Sequence, residues 1–145
     1  MGSSLLNKKG KEIMNKITIE LKDKEGNTKE VSFRLLSEAC IEIEDTKKMP
    51  LLDYIQNESV TMVVDMLYYM RKFETSVFSK ADAKRLYDEL IDNGWTYKRI
   101  IADIIYETLV ASGFLEKEEW EAIKKQAEQL KNKIQEKTQD TLENM

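Results

Sequence analysis

The sequence predicts a mainly helical α+β fold. An N-terminal β-hairpin packs on a bundle of about four to five helices, and a C-terminal amphipathic helix follows. Three observations predict it. Residues 16–35 hold two runs of alternating apolar and polar residues joined by a short loop containing Gly26. Residues 37–112 repeat apolar positions at helical spacing, with Pro50, Gly94 and Gly113 as punctuation. From Leu115 on, the chain turns to Glu, Lys and Gln with sparse apolar residues. The expected organisation is a disordered leader or tag remnant over 1–15, a single globular domain over 16–114, and a charged helical tail over 115–145.

The leader shows no periodicity, and Met14-Asn15 stands directly before the first regular element. Ile17, Ile19 and Leu21 then alternate with Thr18, Glu20 and Lys22, as do Val31, Phe33 and Leu35 with their neighbours. Both runs read as half-buried strands. The loop Asp23-Lys24-Glu25-Gly26-Asn27 turns the chain, with Gly26 free to take positive φ. A lone hairpin is marginal in water, so its apolar face must lie on the helices.

Ser37 is placed to cap a helix from Glu38 to about Lys48, and Pro50 marks its end. Leu51, Leu52, Tyr54 and Ile55 form a short helical segment, broken by Asn57-Glu58. Ser59 caps the most apolar helix of the chain, which runs to Phe73. Val60, Val63, Val64, Leu67 and Tyr68 fall on one side, which reads as core. Met62, Met66, Tyr69, Met70 and Phe73 form a second stripe, and Thr61, Asp65 and Lys72 a narrow polar strip. Such a helix is buried on most sides or keeps one side for a partner.

Ser79 with Asp82 resembles a capping box opening a helix from Lys80 to Asp92. Ala83, Leu86, Tyr87, Leu90 and Ile91 are its apolar face, and Asn93-Gly94 stops it. Thr96 caps an isoleucine-rich helix that ends at Ser112-Gly113, with Arg99, Asp103 and Glu107 on a solvated strip. In the tail, Trp120, Ile123, Ala127, Leu130 and Ile134 keep a heptad-like spacing for about two heptads, and fraying is expected from Gln135. This seam either packs back on the domain or pairs with a partner or a second copy.

Composition excludes several function classes. The 145 residues are 41% hydrophobic and 34% charged, with net charge −4 and no histidine. The missing histidine removes the commonest general base, the usual zinc and iron ligand, and every Ser-His or Cys-His mechanism. Cys40, the single cysteine, sits with Ala39 and Ile43 and reads as a small core residue in a reducing compartment. The carboxylates at 42, 44 and 45 and at 88, 89 and 92 lie on charged helix faces, without the apolar pocket that would tune a catalytic pair. No glycine-rich phosphate loop or metal-binding loop is present, and no stretch is long and apolar enough to span a membrane. Basic residues form no stripe in the folded part, which disfavours nucleic acid. A protein with no enzymatic activity, no cofactor and no bound metal is therefore expected.

What remains is surface. Seven methionines are generous for this length, and three stand at 62, 66 and 70 on one stripe. Methionine adapts its shape and is favoured on partner-binding faces, although the stripe equally suits a core under the hairpin. The candidate contact residues are Met62, Met66, Tyr69, Met70 and Phe73, with Trp120, Ile123, Leu130 and Ile134 as a second surface.

The order of elements resembles a known family. A hairpin ends Val31-Ser-Phe-Arg, and a helix with Ile43-Glu44 follows, then Leu51-Leu-Asp-Tyr-Ile55. An apolar helix finishes Leu67-Tyr-Tyr-Met-Arg71, a capped helix after Ser79 ends at Gly94, and an isoleucine-rich helix closes at Ser112-Gly113. Over about Ile17 to Leu115 this is similar to the small tail assembly chaperones of long-tailed bacteriophages, in the form common among phages of Gram-positive hosts. The Lys- and Glu-rich tail departs from the shorter members. The resemblance implies a non-enzymatic role in the host cytoplasm: binding the tape measure protein, a long apolar helical chain, before the tail tube polymerises around it. In many relatives a longer frameshifted product also engages tail tube subunits. Homo-oligomers through the tail seam or the methionine stripe are compatible with the sequence, whereas nucleic acid and membrane are not expected partners. Two other readings are an inhibitor or regulator of a host factor and a minor structural component of the virion.

Overall fold

The structure is a computed structural model that describes residues 15–143, with side chains through residue 134. The leader expected over 1–15 lies almost wholly outside the described residues. The chain divides into two compact units on either side of the Phe114–Leu115 bond.

The first unit is α+β and mainly helical. It opens with two antiparallel strands, β1 (Ile17–Lys22) and β2 (Thr28–Phe33), in the register Ile17↔Phe33, Ile19↔Val31 and Leu21↔Lys29. The turn is organised by Asp23, whose carboxylate accepts from the backbone N–H of Glu25 and of Asn27, both at 2.9 Å. Gly26 takes the positive φ of 87° that this turn needs. The register puts Leu21, Val31 and Phe33 on one face, and all three are buried.

The helices follow as α1 (Ser37–Lys47), α2 (Leu51–Ile55), α3 (Val60–Arg71) and α4 (Lys80–Asp92). A three-part helix, α5, then runs as an α-helical turn Tyr97–Arg99, a π-helical stretch Ile100–Tyr106 and an α-helical end Glu107–Ala111. Capping at α3 and α4 matches the sequence: Ser59 accepts from the Met62 N–H, and Ser79 with Asp82 makes a reciprocal capping box. At α5, Thr96 accepts from the Arg99 N–H. Ser37 does not cap; it is the first residue of α1, and Leu36 holds the cap position without a side-chain bond. The π-helical stretch was not expected. It places Ile100, Ile101, Ile104 and Ile105 all in the interior on a wider helical turn.

α3 is the central element. It packs against α4, the π-helical stretch, β2 and α1. Each fully buried aliphatic side chain in this core contributes about 1.5–3 kcal/mol. Several polar links fasten the hairpin and the residues that follow it to the helices. The Arg34 N–H donates to the Met70 carbonyl at 3.0 Å, and the Leu35 N–H donates to Ser112 Oγ at 2.9 Å. Asn93, just past α4, treats Lys22 as a neighbouring strand would: its Oδ1 accepts the Lys22 N–H at 2.8 Å and its Nδ2 donates to the Lys22 carbonyl at 3.1 Å.

The second unit contains α6 (Lys117–Glu143). The Glu116 N–H at its start donates to the Glu119 carboxylate at 3.0 Å. The helix continues through the region expected to fray from Gln135, because Glu, Lys and Gln are strong helix formers.

Asn93→Ala removes both bonds to Lys22 and lowers stability by about 1–2 kcal/mol, whereas Asn93→Asp, which keeps the acceptor and loses the donor, falls between the two. Urea denaturation of the three proteins measures this.

Candidate functional site

The methionine stripe is core. Met62, Met66 and Met70 are fully buried and Tyr69 nearly so, while Phe73, just beyond the end of α3, is half-buried. The expectation that these residues form an accessible contact stripe is corrected by this burial: α3 turns its methionine side to the interior. The physical reason lies in the covering elements, since β2, α1, α4 and the π-helical stretch enclose the helix from several directions. Tyr69 keeps its hydroxyl partnered by Glu42; burial first, then the Glu42 charge and hydrogen bond, push its pKa up to about 12.

The side of α3 expected as core is divided. Val60 is 45% exposed and Val64 half-buried, although Val63 and Leu67 are buried as expected. Val60, Thr61 and Val64 line a shallow groove of about 450 Å³ together with Lys84, Tyr87 and Asp88 of α4.

Asp65 forms the floor of this groove and is almost completely buried. Sequence reading placed it on a polar strip of α3. Its Oδ2 instead accepts from Tyr54 Oη at 2.7 Å and from Lys47 Nζ at 2.9 Å. Burial alone pushes the carboxyl up, but the hydrogen bonds from Tyr54 and Lys47 and the Lys47 charge outweigh it, so the pKa lies below the usual carboxylate value. Burial, and after it the bond to Asp65, push the Tyr54 hydroxyl far up. No local pattern reveals this cluster, because its members lie on α1, α2 and α3.

On α6 the expected second surface divides. Trp120 is buried, with Lys124 Nζ 5.1 Å from its ring centroid. Ile123 is 37% exposed, Leu130 60% and Ile134 57%. These three form an apolar ridge on an otherwise charged helix.

The rest of the molecule offers little for chemistry. Cys40 is buried, and burial followed by the Glu44 charge pushes its thiol pKa up, away from the nucleophilic thiolate. Among the described residues no group of three or more His, Cys, Asp or Glu side chains is placed to hold a metal ion. A depression of about 600 Å³ between the hairpin turn and α4 is lined by charges of both signs, Lys22, Lys24 and Arg85 against Asp88, Glu89 and Asp92. Among the described residues no helix is long and apolar enough to cross a membrane. No family model, curated protein or solved structure matches the chain.

Met66→Asp lowers stability by more than about 3 kcal/mol or unfolds the chain, while Met66→Leu stays within about 1.5 kcal/mol. Circular dichroism through a denaturant series distinguishes this core role from a surface role, in which both variants would keep the wild-type midpoint.

Asp65 also sets part of the acid response. A carboxyl whose native pKa is lowered gives stability that is fully present above the unfolded value of about 4 and is lost as pH falls through the native one. Asp65→Asn costs about 1–3 kcal/mol at neutral pH, and its deficit shrinks as pH drops below about 4. Urea midpoints measured from pH 7 to acid (roughly pH 2.5) test this; parallel curves for the two proteins contradict it.

Proposed function

We propose that the protein is a non-enzymatic tail assembly chaperone of a long-tailed bacteriophage. On this reading it binds the tape measure protein in the host cytoplasm and keeps it soluble until the tail tube polymerises. The observation that carries the reading is the ridge on α6, where Leu130 and Ile134 stay more than half exposed on a charged helix. A holding protein needs apolar surface available to a client and charge elsewhere to stay dispersed. The resemblance in element order set out above supports the family part of this reading. With the methionine stripe buried, the client surface on this reading moves from α3 to the 123–134 segment of α6.

An amphipathic helix presenting its ridge to a helical client is a recurring recognition mode. Affinity on this reading is moderate, because ordering both partners offsets much of the contact energy and tube subunits must displace the chaperone.

Co-expression with the tape measure protein of the same genome tests the reading. The wild-type chain is expected to keep that protein in the soluble fraction and to co-purify with it. Leu130→Asp, at an exposed position, is expected to keep the wild-type circular dichroism spectrum and thermal midpoint and to lose at least about tenfold of the co-purified client. Failure of the wild-type chain to retain the tape measure protein overturns the proposal, as does its presence in stoichiometric amount in mature particles.

A further inference from the structure

The charges on α6 are sorted by face. In the register that puts Trp120, Ala127 and Ile134 at a and Ile123 and Leu130 at d, the flanking e positions are Lys117, Lys124 and Lys131. The flanking g positions are Glu119, Gln126 and Lys133. The ridge is thus bordered by four lysines and one glutamate. The remaining positions over the same stretch, which form the back of the helix, carry Glu118, Glu121 and Glu128 against one lysine, Lys125. A chain of net charge −4 therefore places a positive border around its exposed ridge.

We infer that this surface takes an amphipathic helix whose apolar ridge is flanked by Asp or Glu, and that it rejects both a lysine-flanked helix and a second copy of α6. The inference rests on the reading of α6 as the partner surface and adds the chemistry of what it selects. The exposed ridge is short. With Trp120 buried, Ile123 to Ile134 covers less than two heptads, below the three to four that sustain a coiled coil by apolar contact. Charge at the borders therefore decides which partner is retained.

A second α6 is a poor occupant for the same reason. In a parallel pair, Glu119 faces Lys124 of the other copy, but Gln126 faces Lys131 and adds nothing. In an antiparallel pair the e positions face each other, which sets Lys124 and Lys131 of one copy against the same lysines of the other. In neither arrangement do the three lysines that border the exposed ridge, Lys124, Lys131 and Lys133, all meet a carboxylate of the other copy. An acidic border on the partner reverses the sign of every lysine contact.

Fluorescence anisotropy on the full-length chain tests the inference, with labelled synthetic helical peptides of about four heptads as probes. One peptide carries Ile and Leu at a and d with Glu at e and g; the other is identical but carries Lys at e and g. The Glu peptide is expected to bind at least about tenfold tighter at low salt, and the difference to shrink as NaCl rises from about 0.05 to 0.5 M. The double variant Lys131→Glu/Lys133→Glu is expected to invert the preference, and Leu130→Asp to abolish binding of both peptides. Equal affinity for the two peptides, or binding that survives Leu130→Asp, overturns the inference. So does a wild-type dimer in sedimentation equilibrium that Leu130→Asp splits. Peptide discrimination without tape measure co-purification removes the proposed function and leaves the inference standing; co-purification without peptide discrimination does the reverse.

Discussion

The first unit depends on keeping α3 covered. Five of its side chains, Met62, Val63, Met66, Leu67 and Met70, are fully buried. A helix so apolar cannot be served by one neighbour, and β2, α1, α4 and the π-helical stretch all pack on it. The two ends of the problem are solved together. The last carbonyls of a helix lack intrahelical donors, and the chain leaving β2 lacks a strand partner. The Arg34 N–H donates to the Met70 carbonyl, while Arg71 donates to the Ser32 carbonyl at 2.7 Å. The hairpin, marginal alone, is held by the helix it covers.

Within that helix the one buried charge has a specific arrangement. Asp65 is itself nearly buried, and an isolated carboxylate there would be costly. Lys47 from α1 and Tyr54 from α2 meet the same carboxylate oxygen, so one side chain on α3 ties down the two preceding helices. Removing either partner leaves Asp65 short of a donor in a site that water barely reaches. The cluster is better understood as a constraint on how α1, α2 and α3 assemble than as a source of net stability. Asp65 also lines the groove that Val60 and Val64 share with Tyr87, so that groove carries a fixed polar group beside its apolar residues.

The architecture was legible where the signal is local. Alternation gave the hairpin, and Ser59, Ser79, Thr96, Gly94 and Gly113 marked helix ends at the positions observed, since caps and positive φ depend on nearest neighbours. The orientation of α3 was not legible. With apolar residues on most of its surface, periodicity cannot say which side faces out, and methionine flexibility suits a core as well as an interface. On the side expected as core, Val63 and Leu67 are buried but Val60 and Val64 reach solvent, while the Met62, Met66 and Met70 stripe, open to either reading, is core. Asp65 reads as part of a polar strip because its partners Lys47 and Tyr54 come from other helices, and the bonds from Asn93 to Lys22 reach back across the four helices α1 to α4. The π-helical stretch has no compositional mark, because the same isoleucines serve an α-helix equally well. On α6 the exposed part of the ridge, Ile123, Leu130 and Ile134, was readable from spacing alone, whereas the burial of Trp120 depends on structure.

These observations bear on how a small helical protein could hold an apolar client without aggregating. In the first unit most large apolar side chains are buried, and the exposed ones, Leu36, Ile41, Met49, Val60, Val77 and Ile91, are spread over several elements. On α6 the apolar ridge is exposed but bordered by lysines, with glutamates on the back. The same lysines would then have two effects. On the proposed reading they would set lysine against lysine in an antiparallel pair of copies and favour a client whose own borders are acidic. Such a surface does not need deep burial to discriminate, because repulsion excludes wrong partners as effectively as contact rewards the right one. Its weakness in apolar area also serves release, since a competitor that buries more of the client displaces it without any chemical step.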